Sequence, residues 1–211
     1  MPTLLVINSS AMPASYSSSR KLVDELKGKW VAAHPGATVI ERDVATNPVP
    51  FVTAEAIMAY YADPAQLTPE QKKAIAISDT LVNELIEADH VIIGVPMYNF
   101  GIPASLKAWI DAVVRVGKTF SIGADGYKGL LNPAKKIVLV FSRGGNYSHP
   151  GAKAFDLQTP YMNTILGFMG AKDIKTVIAE NQARSGEAKD AGFKAAIEQT
   201  GQVAAAFTSG V

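Results

Sequence analysis

The loop Asn8-Ser9-Ser10-Ala11-Met12-Pro13-Ala14-Ser15-Tyr16-Ser17-Ser18-Ser19-Arg20 carries seven serine or asparagine side chains in thirteen residues and runs straight into a helical pattern. Free N–H groups at a helix start, serine hydroxyls and the positive end of the helix dipole together make a phosphate site. The serine hydroxyls are its expected ligands, with Arg20 and Lys21 adding cationic charge. The same serines also suit plain helix caps in a solvated loop. Neither Gly-x-Gly-x-x-Gly nor the Walker lysine pattern occurs, and a phosphate held by hydroxyls, without a glycine cradle, suits a monophosphate. A second loop, Met97-Tyr98-Asn99-Phe100-Gly101, offers apolar platforms and one amide, the requirements of a planar ring with a polar edge. A third, Ser142-Arg143-Gly144-Gly145, has two glycines that let backbone approach a ring closely.

Each loop needs a strand to carry it. Val91-Ile92-Ile93-Gly94-Val95 is an apolar run too short for an ordinary helix, and it reads as a parallel strand buried on both faces. Pro96 ends it, because proline cannot donate to a sheet ladder. Leu106, Trp109, Ile110, Val113 and Val114 then recur at helical spacing, with Pro103 suited to the first turn. Thr3 to Ile7, 38–40, 136–141 and 174–178 read as four further strands. Helices are expected from Leu22 to Ala33, ended by His34-Pro35-Gly36, over 53–61, over 69–87 behind a Thr68-Pro69-Glu70-Gln71 capping box, after a Thr159-Pro160 cap, and over 186–207. The stretch from Gly117 to Leu131 has no helical period, and within it 119–122 and 127–130 look like a hairpin flap around 123–126. Strand and helix alternate, which predicts a doubly wound, five-stranded parallel sheet with helices on both faces, one domain over 1–211. Strands 1, 3 and 4 then carry the three loops to one carboxyl-end rim, where open parallel sheets bind ligands. A ring bearing one phosphate, as in FMN, meets what that rim offers.

Composition narrows the partners. A net charge of +1 provides no field for nucleic acid or anionic lipid. No apolar run approaches the ~20 residues of a membrane span, and the first residues lack a signal peptide's charged start and cleavage site. Cysteine is absent, so disulfides, thiolate metal sites and cysteine nucleophiles are excluded, and no metal cluster is expected. A cytoplasmic protein is the simplest account.

The succession Leu4-Leu5-Val6-Ile7-Asn8-Ser9-Ser10, Ser17-Ser18-Ser19, Gly94-Val95-Pro96-Met97-Tyr98-Asn99-Phe100 and Ser142-Arg143-Gly144-Gly145 resembles the FMN-dependent NADH azoreductases, which group with the flavodoxin-like quinone reductases. The likeness spans essentially the whole chain. It implies a flavodoxin-like fold, a homodimer with one FMN per subunit, active sites where subunits meet, and quinones and azo compounds as acceptors of electrons from NADH or NADPH. Residue by residue, Ser10 and Ser17 to Ser19 match the phosphate loop, Met97 to Phe100 the ring loop and Ser142 to Gly145 the loop along the other ring edge. The expected turnover is a two-electron, ping-pong hydride transfer, with Asn99 and the backbone of the Tyr98–Phe100 turn stabilising developing negative charge. Phe120 and Tyr127 on the flap, with Tyr60 and Tyr61, are candidates for gripping substrate, and His149 for supplying a proton. His34 and His90 look incidental. Two other classes fit less well: a single-electron carrier, which would favour a charged docking face, and a serine hydrolase, for which no Gly-x-Ser-x-Gly elbow exists.

Overall fold

In the computed structural model, which describes residues 1–209, five parallel strands form one sheet: β1 (Thr3–Asn8), β2 (Thr38–Asp43), β3 (His90–Pro96), β6 (Lys136–Ser142) and β7 (Asp173–Ala179), in the order β2-β1-β3-β6-β7. The connecting helices are α1 (Ser18–Ala33), α2 (Ala54–Tyr61), α3 (Pro69–Glu87), α4 (Ala104–Val113), α5 (Gln158–Phe168) and α6 (Glu187–Thr208). A small antiparallel hairpin, β4 (Phe120–Gly123) and β5 (Gly126–Gly129), is inserted between α4 and β6. Among the described residues no helix is long and apolar enough to cross a membrane.

The pleat explains the layers. Successive strand side chains point to opposite faces, so Leu4, Val6, Ile92, Val138 and Val140 pack with Leu22, Leu26 and Trp30 of α1 and Phe207 of α6. Leu5, Ile7, Val91, Ile93, Leu139 and Phe141 face the other way, onto α3, α4 and α5. Because both faces are covered, β3 is buried along its whole length, which is why its sequence is a continuous apolar run. α2 lies outside this sandwich, on α3, through Ala56, Ala59 and Ile75.

The chain leaves β1 toward β2 on one side and returns to β3 on the other. The crossovers therefore diverge between the carboxyl ends of β1 and β3, opening a crevice there. Two local expectations change. The capping box of α3 forms as predicted, Thr68 Oγ1 accepting from Gln71 N at 3.2 Å and Gln71 Oε1 from Thr68 N at 3.0 Å. Thr159-Pro160 does not cap α5, however. That helix starts at Gln158, and Asp156 Oδ1 accepts from the Thr159 N–H at 2.9 Å, leaving the threonine hydroxyl to accept from Arg143. Pro103 likewise stands at the N-cap of α4, one residue ahead of its first turn.

Candidate functional site

Ser17 is the N-cap of α1, with extended backbone angles and a hydroxyl accepting from Arg20 N. The same hydroxyl lies 2.9 Å from Ser10 Oγ and 3.2 Å from Ser19 Oγ, so three buried serines form one cluster. The N–H groups of Ser18 and Ser19 meet no acceptor among the described residues, as expected for a first helical turn. Hydroxyls and unspent N–H groups therefore converge at a positive helix end. Arg20 is not part of this group. Its guanidinium donates to Met12 O at 2.9 Å and Ser10 O at 2.6 Å and pairs with Asp43 at 2.7 Å, strapping the loop to β2. Burial opposes the charge on Asp43, but Arg20 and the N–H groups of Thr46 and Ala45 outweigh it and hold the carboxyl below its usual range. Lys21 faces a neighbouring cavity instead.

The second loop is strained in an informative way. Asn99 and Phe100 have φ of 49° and 69°, successive left-handed residues closed by reciprocal Tyr98–Gly101 hydrogen bonds of 3.0 Å. Consecutive positive φ angles mark the turn that normally wants Asn-Gly. A phenylalanine there costs of order 1–2 kcal/mol, and such strain is kept where surrounding structure enforces it. Three ties do so: Met97 N to Ser142 O at 2.8 Å, Leu157 N to Phe100 O at 3.1 Å, and Ala11 N to the Tyr98 hydroxyl at 3.0 Å. The N–H groups of Asn99 and Phe100 have no acceptor among the described residues. The Phe100 ring packs edge-on near Tyr147 and against Phe155.

In the third loop the two glycines and the arginine part company. Gly144 approaches the β7–α6 loop so closely that a Cβ would lie 3.1 Å from the Ala183 methyl. The N–H groups of Gly144 and Gly145 have no acceptor among the described residues. The Arg143 side chain is buried and spent on structure: Asp156 at 3.0 Å, Glu180 at 3.2 Å, Gln158 at 3.3 Å and the Thr159 hydroxyl. Its guanidinium is a strut between β6, α5 and the end of β7, while the residue itself still lines the cavity at the β1–β3 crevice.

A cavity of about 290 Å³ joins these pieces at the β1–β3 crevice. Ser10, Ser17, Ser18, Pro96, Met97, Tyr98, Ser142, Arg143 and Gly144 line it, together with Met12, Tyr16, Gln182, Ala183 and Lys189. Ser19 sits beneath Ser17, and Asn99, Phe100 and Gly145 stand outside that lining. Gln182 and Ala183 were missed in the sequence. They follow β7 in another polar loop, Asn181-Gln182-Ala183, marked by φ of 61° at Asn181. Position after a sheet strand was the available signal. Gln182 is anchored from three sides, by the Ser18 hydroxyl at 2.7 Å, Glu180 O at 2.7 Å and Lys189 O at 3.3 Å.

The remaining expected residues lie apart. Phe120 is buried against Phe168 with ring centroids 4.9 Å apart, so it presents no ring to a substrate. Tyr127 is 70% exposed above it. His149 is exposed beyond the glycine loop, its Nδ1 accepting from Gly151 N at 3.2 Å. Tyr60 is stacked 3.9 Å under the Arg115 guanidinium at a separate cavity, which Tyr61 also lines.

The residues present fit FMN: a hydroxyl and N–H cluster for one phosphate, an apolar shelf beside it, unspent N–H donors along two edges, and a glycine where a Cβ would crowd the far wall. The profile of a family described as "Flavodoxin-like fold" matches residues 2–204. An FMN-dependent NADH:quinone oxidoreductase of Nostoc sp. is 46% identical over 204 residues, 94% of this chain and 98% of that protein. One of the same name from Hyphomonas neptunium is 42% identical over 99% of both chains. Among solved structures, an azoreductase from Bacillus anthracis str. Sterne superposes with a TM-score of 0.90 at 33% identity, over 98% of this chain and all 100% of that one.

Proposed function

The chain belongs to the family of flavodoxin-like fold, and on that premise we propose that it is an FMN-dependent NADH:quinone oxidoreductase and azoreductase. It moves two electrons as a hydride from NADH or NADPH to quinones and azo compounds, as the names of its relatives indicate for those proteins. FMN, when bound, supplies the hydride chemistry; binding, orientation and electrostatics fall to the chain.

Ser10, Ser17 and Ser18, with the N–H groups of Ser18 and Ser19, hold the phosphate, and Ser19 braces Ser17 from below. Pro96, Met97 and Tyr98 form the shelf. The Asn99 amide and the N–H groups of Asn99 and Phe100 donate toward negative charge at the ring's polar edge, as oxyanion-hole donors do. The N–H groups of Gly144 and Gly145 serve the opposite edge, while Ser142 fixes Met97 through its carbonyl and Arg143 keeps the loop in place. Donor and acceptor take the same place in succession, so turnover is ping-pong. Tyr127 grips the acceptor with Phe120 as its buried support, and His149 supplies a proton. We read the chain as one domain over 1–211, of which 210–211 lie outside the described residues, acting in the cytoplasm as a homodimer whose partner completes each site.

The observation that carries this reading is one cavity at the sheet's switch point lined both by the serine cluster and by Pro96, Met97 and Tyr98, the last of which opens the left-handed Asn99–Phe100 turn. The test is to mix the FMN-loaded protein with NADH under argon and follow the yellow absorbance. Rapid bleaching, reversed on adding a quinone, is expected. No bleaching by either nicotinamide overturns the reading in favour of a single-electron carrier.

A further inference from the structure

Arg115, two residues past α4, is buried although its guanidinium carries a full charge. Nη1 is engaged on α3, donating to Ser78 Oγ at 2.6 Å and to Oδ1 of the half-exposed Asp79 at 3.2 Å. Cζ lies 3.9 Å from the centroid of the Tyr60 ring, which fixes the guanidinium from one face. Nε is buried with no hydrogen-bond partner, and no acceptor for Nη2 occurs among the described residues. Nε and Nη2 are the two donors of the side-on fork with which arginine takes both oxygens of a carboxylate. A buried donor without an acceptor is costly, and the contacts with α3 and Tyr60 keep this side chain from swinging out to find one. Space for an occupant adjoins it. A cavity of about 490 Å³, the size of a small-molecule site, is lined by Arg115 together with α2, α3 and the segment after α4. Leu67, Ile75, Val116 and the Tyr60 and Tyr61 rings make its walls largely apolar. Lys118, exposed and without an ion-pair partner among the described residues, adds a second cation to the lining.

We propose that this cavity binds an aromatic carboxylate, its two oxygens on the Nε–Nη2 fork of Arg115 and its ring among the apolar walls. The donor set separates a carboxylate from a phosphate. Backbone N–H groups, which the further oxygens of a phosphate would need, are spent here: Gly117 N donates to Phe120 O at 2.7 Å and Lys118 N to Arg115 O at 3.2 Å. Asp79, in the same lining, also repels a dianion more strongly than a monoanion. The cavity shares no lining residue with the one at the β1–β3 crevice, so the site stands whether or not the oxidoreductase reading does.

The test titrates benzoate into the FMN-loaded protein by calorimetry, with benzamide as the neutral isostere and phenyl phosphate as the dianion. Benzoate should bind at millimolar concentration or tighter, at least about tenfold better than either, raise Tm by mass action and leave the flavin spectrum unchanged. Arg115→Lys keeps the charge but loses the fork, and should weaken benzoate at least about tenfold. Since that change disturbs buried packing, Lys118→Gln on an exposed side chain keeps the test independent of folding. It should fold with Tm unchanged and bind benzoate about threefold more weakly, the worth of one exposed charge. Absence of benzoate binding at millimolar concentration, equal binding of benzamide, tighter binding of phenyl phosphate, or undiminished binding by folded Arg115→Lys or by Lys118→Gln would each overturn the proposal. So would a shifted flavin spectrum, which puts benzoate on the ring instead.

Discussion

Two residues show how local chemistry departs from what their type alone suggests. Asn99 tolerates φ of 49° better than most residues, and its side chain is exposed with no hydrogen-bond partner among the described residues. Asn99→Gly keeps the turn and both N–H donors while removing only the amide; Asn99→Ala removes it and adds about 1 kcal/mol of left-handed strain. Both variants are expected to fold and hold FMN, with turnover reduced by about 10²–10³, the usual cost of one such donor. Full turnover in Asn99→Gly would leave the work to the backbone alone. His90 is the opposite case, a histidine that looks incidental and is buried at the start of β3, where neither ring nitrogen has a hydrogen-bond partner of good geometry among the described residues. Trp30, His34 and Phe207 surround it at centroid distances of 5.5, 5.6 and 5.1 Å. Burial, then the nearby Lys136 and His34 charges, push its pKa down to about 4, with Asp89 opposing. The folded form thus disfavours the proton, so stability is complete above the unfolded pKa of about 6.5 and is lost as pH falls toward 4. Between pH 7 and 5 this histidine should cost about 2 kcal/mol. Urea unfolding of the wild type and His90→Leu at both pH values checks it: the variant should lose less, and parallel losses would refute it.

At the scale of elements, the strands and their rim were legible because burial on both faces writes a continuous apolar run, and proline or glycine marks its end. The serine and Met97–Gly101 loops were legible for the same reason: polar residues directly after a core strand have few structural excuses. What was hidden depended on partners distant in sequence. Arg143 looks like a ligand in Ser-Arg-Gly-Gly, yet Asp156 and Glu180, 13 and 37 residues away, claim its guanidinium. Phe120 looks like a flap ring, yet Phe168 buries it. The β4–β5 hairpin is seated by a contact no local pattern announces: a Cβ on Gly129 would lie 2.2 Å from Gly170 N and 2.4 Å from the Met169 carbonyl carbon. Backbone cannot yield as a side-chain tip can. Gly129→Ala should therefore unseat the hairpin from α5 and cost upwards of about 2 kcal/mol, seen as a Tm drop of at least about 4 °C. Gly123→Ala, with open space around its Cβ, is the control on the same hairpin and should change Tm little.

Across the whole molecule, the surface argues for a second copy. The chain exposes 10,648 Å², whereas a compact monomer of 22.4 kDa should expose about 9,400 Å². Large apolar side chains contribute to the excess: Phe51, Ile57, Met58 and Tyr61 around α2, Ile122 and Tyr127 on the hairpin, Phe155 and Leu157 ahead of α5. Single exposed apolar residues need no account, but so many grouped on three stretches of chain do. A stable dimer buries about 800 Å² per partner, and net charge near zero gives two copies little reason to repel. If the copies complete each other's sites, dissociation must cost activity without costing flavin. Met58→Asp with Tyr61→Asp places two charges on the exposed side of α2, outside the serine cradle and its cavity. Light scattering should show a dimer for the wild type and a folded monomer for the double variant, with turnover per bound FMN reduced at least about tenfold in the monomer. A wild type that runs as a monomer, or a monomeric variant with undiminished turnover per flavin, would confine the site to one chain.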